Sequence, residues 1–203
     1  GNLEYLMDTA FQAGLNVSEL SMENLGWDQT QFVDLNDQAI NHLFKLYPWE
    51  WIWEENFSTF IKPDTQWIEP CWKMLLSNKA ILVELWKQFP HHPLLLESHA
   101  FNPNDRFNGK WVRKPILARE GANIHIIQNN VDCGEASGSF HFEDYDKYGY
   151  IMQKWAPTPL HEGMLPTLGL WMVGDECSGL SIREDVYDVI GNYAHFAAHY
   201  FIE

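Results

Sequence analysis

The spacing of apolar residues predicts helices and short strands in the first part of the chain. Apolar side chains recur at helical spacing from Leu3 to Phe11, and Gly14 is placed to end that helix. A second helix is expected over residues 49–57, after Pro48, and a third over residues 78–88. Between the first two helices the pattern predicts short strands at residues 17–22, 32–35 and 42–46, with a turn at Asn36 and Asp37.

After Pro90 the pattern changes to short apolar runs separated by Gly, Pro, Asn and Asp. This pattern is typical of a mostly antiparallel sheet. The strands are expected at residues 94–96, 110–115, 124–128, 139–143, 149–155, 167–173 and 178–182. The fold class is therefore predicted to be α+β, with a helical or mixed lobe over residues 1–90, a strand-rich lobe over residues 91–203, and a ligand cleft between them.

The composition describes a globular protein with a large core. Hydrophobic residues make up 46% of the 203 residues and aromatic residues 15%, far more than a disordered chain carries. The tryptophans of residues 49–72 are expected to build that core. The sequence has no apolar run of the ~20 residues that cross a bilayer, and its first residues lack signal-peptide features, so a cytoplasmic protein without membrane partners is expected.

The net charge and the cysteine spacing exclude some classes of partner and site. The net charge of −15 repels nucleic-acid phosphates and suits cations such as polyamines and metal ions. Cys71, Cys133 and Cys177 are far apart and form no C-x-x-C pair, which argues against a zinc or redox site. No nucleic-acid partner is expected.

Two lysines stand beside features suited to phosphate binding. Lys79 lies in the first turn of a predicted helix, where the helix dipole disfavours a cation unless an anion is near. Lys114 lies in a predicted strand that leads into a charged loop containing Gly121, and backbone N–H groups of such a loop can close over phosphates. Taken singly, each feature is more typical of an ordinary surface salt bridge or turn than of a phosphate site.

The order of several motifs is more specific. Glu-Pro-x-Trp-Lys at residues 69–73, Asn-Lys-Ala-Ile-Leu at 78–82, Phe-Pro-His-His-Pro at 89–93 and Lys-Pro-Ile-Leu-Ala-Arg-Glu-Gly-Ala-Asn at 114–123 follow one another, with related motifs at 47–51, 173–176 and 179–185. Over nearly the whole chain this order resembles the synthetase domain of the glutathionylspermidine synthase family. The resemblance implies an ATP-grasp-like fold enclosing a nucleotide cleft, and a chain that is the carboxy-terminal part of a longer protein.

The resemblance also implies roles for individual residues. Lys79 and Lys114 would reach the nucleotide phosphates, and Arg183 would be the catalytic cation beside the transferred phosphoryl group. The loop that would close on the γ-phosphate consists of Arg119, Glu120, Gly121, Ala122 and Asn123, and it is expected to be mobile without nucleotide. The linker expected to bind adenine through its backbone includes Gln153, Lys154 and Trp155.

The implied activity is that of an ATP-dependent carboxylate–amine ligase. ATP would activate a carboxylate, such as that of the peptide glutathione, as an acyl phosphate for attack by an amine such as a polyamine. The cofactors would be ATP and Mg²⁺, but the family's Glu-x-Asn metal motif has no match here, so the metal ligands are unknown and are expected upstream in the same protein. The alternatives are a nucleotide-binding domain without catalysis, and a structural module whose aromatic surface binds another subunit.

Overall fold

The contacts of the computed structural model, which describes residues 1–61 and 65–201, divide the chain into two compact units, Gly1–Leu76 and Ser77–Glu203. The expected boundary between functional lobes lies later, at residues 90 and 91, and stays a prediction. The helix at residues 80–88 belongs to the second unit because it packs against the strand at residues 98–100.

The described residues form an α+β fold with few helices and mostly antiparallel pairing. Its α-helices are α1 (Asn2–Gln12), α2 (Trp49–Glu54), α3 (Met74–Ser77) and α4 (Ala80–Gln88). Its strands are β1 (Gly26–Trp27), β2 (Phe32–Val33), β3 (His42–Phe44), β4 (Gln66–Ile68), β5 (Ser98–Ala100), β6 (Lys110–Pro115), β7 (His125–Gln128), β8 (Val131–Glu135), β9 (Tyr150–Lys154), β10 (Leu165–Val173), β11 (Glu176–Asp185) and β12 (His195–Phe196). Short 3₁₀ helices cover Met22–Asn24, Asn56–Phe60, Cys71–Lys73 and Glu143–Tyr148.

The end of α1 confirms the role expected for Gly14. Its φ of +82° places it in the left-handed region, which favours glycine. Its N–H donates to the carbonyl of Phe11, and the N–H of Leu15 donates to the carbonyl of Ala10. These two bonds form a Schellman motif, which satisfies carbonyls that the helix end leaves without partners.

The first unit is built around an aromatic cluster. Phe32, Trp49, Ile52 and Trp67 are buried and pack together, with the rings of Trp49 and Trp67 centred 5.2 Å apart. β1 and β2 pair antiparallel. β3 and β4 pair parallel with each other, and α2 lies between them in the sequence. The expectation of a tryptophan core is thus confirmed for Trp49 and Trp67.

Other tryptophans of this segment lie at the surface. Trp51, Trp53 and Trp72 are 36%, 44% and 59% exposed. A helix as short as α2 presents one stripe to the core, so Trp49, Trp51 and Trp53 cannot all be buried. Trp72 lies outside α2, in the 3₁₀ helix Cys71–Lys73. The core prediction was wrong for these three side chains.

The second unit contains a five-stranded antiparallel sheet in the order β5-β9-β6-β7-β8. Trp111, Ile127 and Met152 form a buried cluster on one face of this sheet. A separate sheet has the order β10-β11-β12 and is dominated by the long β10–β11 hairpin. The second half is therefore strand-rich and antiparallel, as its sequence pattern predicts.

Some expected elements are absent or displaced. Residues 17–22 and 139–143 form no strand, and the strand expected at residues 94–96 begins later, at Ser98. The segment after Ser139 instead supplies its backbone groups to a neighbouring loop, through Phe140 and Phe142. Irregular backbone and short strands occupy much of the first half, so this half is mixed and not predominantly helical. None of the helices within residues 1–61 and 65–201 is long and apolar enough to span a membrane.

Candidate functional site

Lys114 and Gln153 meet on one face of the five-stranded sheet. In the antiparallel register Lys114 pairs with Ile151 and Gln153 pairs with Val112, so both long polar side chains lie on the same face. The Nζ of Lys114 donates a 2.7 Å hydrogen bond to Oε1 of Gln153, whose Nε2 donates to Ser98 Oγ at 3.1 Å. Gln153 and Ser98 are buried, and burial lowers the pKa of Lys114. An anion bound at this face of the sheet would stabilise the charged form of Lys114.

Lys79 is held against the segment that follows β6. It stands immediately before α4, and its backbone N–H donates to the carbonyl of Ile116 at 2.9 Å. Its Nζ donates to the carbonyl of Ala118 at 2.8 Å. The start of α4 and the stretch after Lys114 are therefore fixed together.

The loop of residues 119–123 is densely packed at its carboxyl end. Ala122 and Asn123 are both 1% exposed. The side chain of Asn123 accepts from the N–H of Phe142 at 2.6 Å and donates to the carbonyl of Phe142 at 2.9 Å and to Asp146 Oδ1 at 2.5 Å. Asn123 bonds this end of the loop to the segment before β9, and the mobility expected of the loop stays a prediction.

The glycine of this loop is required by packing. Gly121 has a φ of +76°, and a Cβ built at this position would lie 2.3 Å from Cγ1 of Val189. Its carbonyl accepts from Ser139 Oγ at 2.7 Å, and the N–H of Ala122 donates to the carbonyl of Arg119 at 3.0 Å. Gly121 thus lets the turn approach Val189.

Arg183 reaches the same loop from the other sheet of the second unit. It lies on β11 opposite Thr167 of β10, and its NH1 is 3.7 Å from Oε2 of Glu120. Its NH2 donates to the carbonyl of Gly191 at 2.5 Å, and the guanidinium lies 5.6 Å from the ring centre of Phe196. The ion pair brings Arg183 to the tip of the loop.

Lys154 and Trp155 have backbone donors that are already used. The N–H of Lys154 donates to the carbonyl of Glu97 at 2.8 Å, and the N–H of Trp155 donates to the carbonyl of Lys110 at 3.1 Å. The Lys110 ammonium lies 3.6 Å from the centre of the Trp155 ring. An adenine at this linker would need acceptor or donor groups other than these two N–H groups.

Arg113 is a candidate ligand-binding residue, because it lines a cavity, and the sequence interpretation did not identify it. It neighbours Lys114 on β6, so its side chain lies on the opposite face of the sheet, 3.1 Å from Asp132 Oδ2 and 5.1 Å from the ring centre of Tyr150. It lines a cavity of about 190 Å³ with Phe101, Phe107 and Asp132 among others. The alternation along β6 could have identified it, since every second side chain of a strand faces the same way.

The family is decided by the match along the chain. Residues 1–202 match the family model described as "Glutathionylspermidine synthase preATP-grasp". The chain belongs to this glutathionylspermidine synthase family. The resemblance inferred from its motifs is thereby confirmed at the level of the family, whereas the carboxy-terminal placement stays a prediction.

Relatives in this family are named for ligase reactions. A Haemophilus influenzae protein assigned as an acid–amine ligase is 45% identical over 208 residues, covering 100% of this chain and 53% of that protein. The trypanothione synthetase of Crithidia fasciculata is 33% identical over 138 residues, covering 66% of this chain and 20% of the enzyme. The bifunctional glutathionylspermidine synthetase/amidase of Escherichia coli is 25% identical over 210 residues, covering 90% and 33%. The chain spans about half the length, or less, of these relatives.

Mg²⁺ does not find an evident site in this glutathionylspermidine synthase relative. Among residues 1–61 and 65–201, no group of three or more His, Cys, Asp or Glu side chains is arranged to hold a metal ion. Mg²⁺ prefers oxygen ligands in near-octahedral geometry, which isolated carboxylates do not supply. The residues present therefore fit phosphates better than they fit the metal.

Proposed function

We propose that this chain supplies nucleotide-binding residues to an ATP-dependent carboxylate–amine ligase. The supporting observation is that three separate cations meet one stretch of the second unit, residues 114–120. Lys114 begins the stretch, Lys79 bonds the carbonyl of Ala118, and Arg183 lies 3.7 Å from Glu120. Membership of a family with ligases named among its relatives supports the same proposal.

The chemistry of these side chains suits a triphosphate. The buried environment of Lys114 disfavours its charged form, and a phosphate oxygen nearby would offset that cost. Gln153 holds the ammonium in place by accepting its hydrogen bond. Lys79 would also position the phosphate-binding segment, because its hydrogen bond to the carbonyl of Ala118 fixes residues 114–120 against the start of α4.

Arg183 is the proposed catalytic residue. ATP, when bound, supplies the phosphoryl group that activates the carboxylate. The guanidinium of Arg183 would stabilise negative charge that develops during transfer, and its contacts with Glu120 and Gly191 orient it in advance. The loop of Arg119, Glu120, Gly121, Ala122 and Asn123 would exclude water by movement at its exposed Glu120 end, while Asn123 stays anchored.

Adenine would lie near Gln153, Lys154 and Trp155, in the ATP-grasp-like cleft that the resemblance implies. Within that proposal the acid is a peptide such as glutathione and the amine a polyamine, as the name of the E. coli relative suggests. The net charge of −15 would attract a polycation. Mg²⁺ would be held by ligands in the remaining part of a longer protein.

Calorimetric titration with ATP tests the proposal. Lys114→Met should abolish the binding heat of the wild-type chain, because a half-buried cation beside the proposed phosphate site is removed. Lys87→Ala is the matched control, since Lys87 is a 63% exposed lysine of α4 paired with Glu84, and its affinity should stay unchanged. Equal affinity of wild type and Lys114→Met would overturn the assignment.

The second candidate function is nucleotide binding without catalysis. It is favoured by the lack, within the described residues, of a cluster of metal ligands. A phosphate-release assay with glutathione and spermidine distinguishes the two. The assay is run on a full-length family member. If Arg183→Lys, or the same change at the aligned position, reduces turnover while ATP binding persists, the ligase function is supported. If ATP binds but no phosphate is released, the second function is supported.

A further inference from the structure

The β10–β11 hairpin exposes an apolar face of its sheet. Leu168 pairs with Ile182 and Leu170 pairs with Leu180 across the two strands, so these side chains share one face, which Met172 extends. Leu168 and Leu170 are each 64% exposed, and Met172 is 56% exposed. The five side chains are called the leucine face below.

The base of the opposite face contacts the rest of the second unit, whereas Trp171 and Val173 near its tip are 63% and 67% exposed. Arg183, which alternates with Ile182 along β11, lies on that opposite face and contacts Glu120 and Gly191. β12 pairs with Arg183 and Glu184 at the base of the hairpin. In the part of the chain that the structure describes, β10 has no strand on its other side. The β10 edge and the β10 side chains of the leucine face are therefore open, whereas Leu180 and Ile182 are half-buried.

Such a surface is unusual for a soluble chain. A two-stranded hairpin is marginally stable in water without an element packed on an apolar face. A contiguous exposed apolar patch marks an interaction surface, and a free strand edge can accept a further strand. The hairpin therefore calls for a partner that supplies apolar side chains.

We propose that the leucine face and the β10 edge bind an apolar element from the half of the longer family members that this chain does not match. The match with the Haemophilus relative covers 100% of this chain and 53% of that protein, so nearly as much polypeptide again is available in the same molecule. A second copy of this chain is a poorer occupant, because each copy adds a net charge of −15. The hairpin is then an interface within one protein.

Hydroxyl-radical footprinting of a full-length chimera tests this inference. In the chimera, this chain replaces the matched stretch of the Haemophilus relative. Oxidation of Leu168 and Leu170 should be severalfold slower in the chimera than in the 203-residue chain. Leu94, which is 86% exposed in the same unit, is the matched control and should react equally in both proteins.

A substitution gives a second measurement on the same pair of proteins. Leu170→Asp should leave the melting temperature of the isolated chain unchanged, because its side chain is exposed there, and should lower that of the chimera. Leu94→Asp should alter neither. If the chimera does not fold, the wild-type relative is footprinted at its aligned positions.

Three results would overturn the inference. Oxidation of Leu170 could be equally fast in both proteins, or Leu170→Asp could affect both melting temperatures alike. Protection that appears in the isolated chain and grows with its concentration would instead identify a second copy as the occupant. Loss of ATP binding tests the proposed function separately, since the leucine face lies on the side of the sheet opposite Arg183.

Discussion

The ammonium group of Lys114 donates a 2.7 Å hydrogen bond to Oε1 of Gln153 on the neighbouring strand. Burial lowers the pKa of Lys114 from its ordinary 10.5, so between the lowered pKa and 10.5 the folded chain holds fewer protons here than the unfolded chain. The contribution of this site to the free energy of unfolding therefore rises with pH through that window. Bound phosphate would favour the ammonium and reverse the preference.

ATP affinity is accordingly expected to fall as pH rises through the lowered pKa of Lys114. Lys114→Arg should remove this component, because a guanidinium stays protonated throughout. Calorimetric titrations over a series of alkaline pH values measure the slope, and Lys79→Arg serves as the control that should retain it. Identical slopes for the wild type and Lys114→Arg would contradict the prediction.

Gly121→Ala should destabilise the chain through two effects. The positive φ costs a non-glycine residue about 1 kcal/mol, and the overlap with Val189 adds about 1–3 kcal/mol. Gly163→Ala is the matched control, because Gly163 has a φ of +87° and nothing within 4 Å of a built Cβ. Urea denaturation gives both free energies of unfolding, and Val189→Ala should partly restore the Gly121→Ala chain.

Asn123→Ala should lower the free energy of unfolding by about 2–4 kcal/mol, because it removes a 1% exposed side chain together with its hydrogen bonds to the backbone of Phe142 and to Asp146 Oδ1. Asn104→Ala, at an exposed position in the same unit, should change it by less than about 0.5 kcal/mol. Denaturant titration again provides the measurement. Equal effects of the two substitutions would show that the loop is not anchored through Asn123.

Tyr47 should titrate later than ordinary tyrosines. Its hydroxyl donates to Glu55, and this bond, with burial, raises the pKa of Tyr47 to about 12. The stabilising contribution is fully present below the unfolded pKa of 10 and is lost as pH rises toward 12. Burial and a hydrogen bond to Asp146 also raise the pKa of Tyr150 to about 12, so ultraviolet absorbance should show two late tyrosinates. Tyr47→Phe should remove one of them, whereas Tyr5→Phe, whose ring is 69% exposed, should leave both.

The sequence predicted the regular parts of the second unit better than the environment of its loops. Strands at residues 110–115 and 149–155 were expected from their apolar runs, and β6 and β9 lie there. The strand expected at residues 139–143 did not form, since Phe140 and Phe142 bond Asn123 instead. A single-sequence pattern cannot show such long-range competition for backbone groups.

The candidate site shows the same limit. The motif order pointed to Lys79, Lys114 and Arg183, and each contacts or belongs to the stretch of residues 114–120. The dense packing of Asn123 and the use of the Trp155 N–H by Lys110 were not predicted, because both depend on segments distant in sequence. Arg113 was not identified from the sequence, although alternation along β6 places its side chain on the face of the sheet opposite Lys114.

The strand order of the five-stranded sheet has a consequence for synthesis on the ribosome. β6, β7 and β8 are consecutive and can form a meander as soon as they leave the exit tunnel, but β9 must then insert between β5 and β6. Until Lys154 has been made, both β5 and β6 present unpaired edges, which are sites of aggregation in a nascent chain. The hydrogen bond between Lys114 and Gln153 therefore forms late, and its appearance would report that β9 has paired with β6.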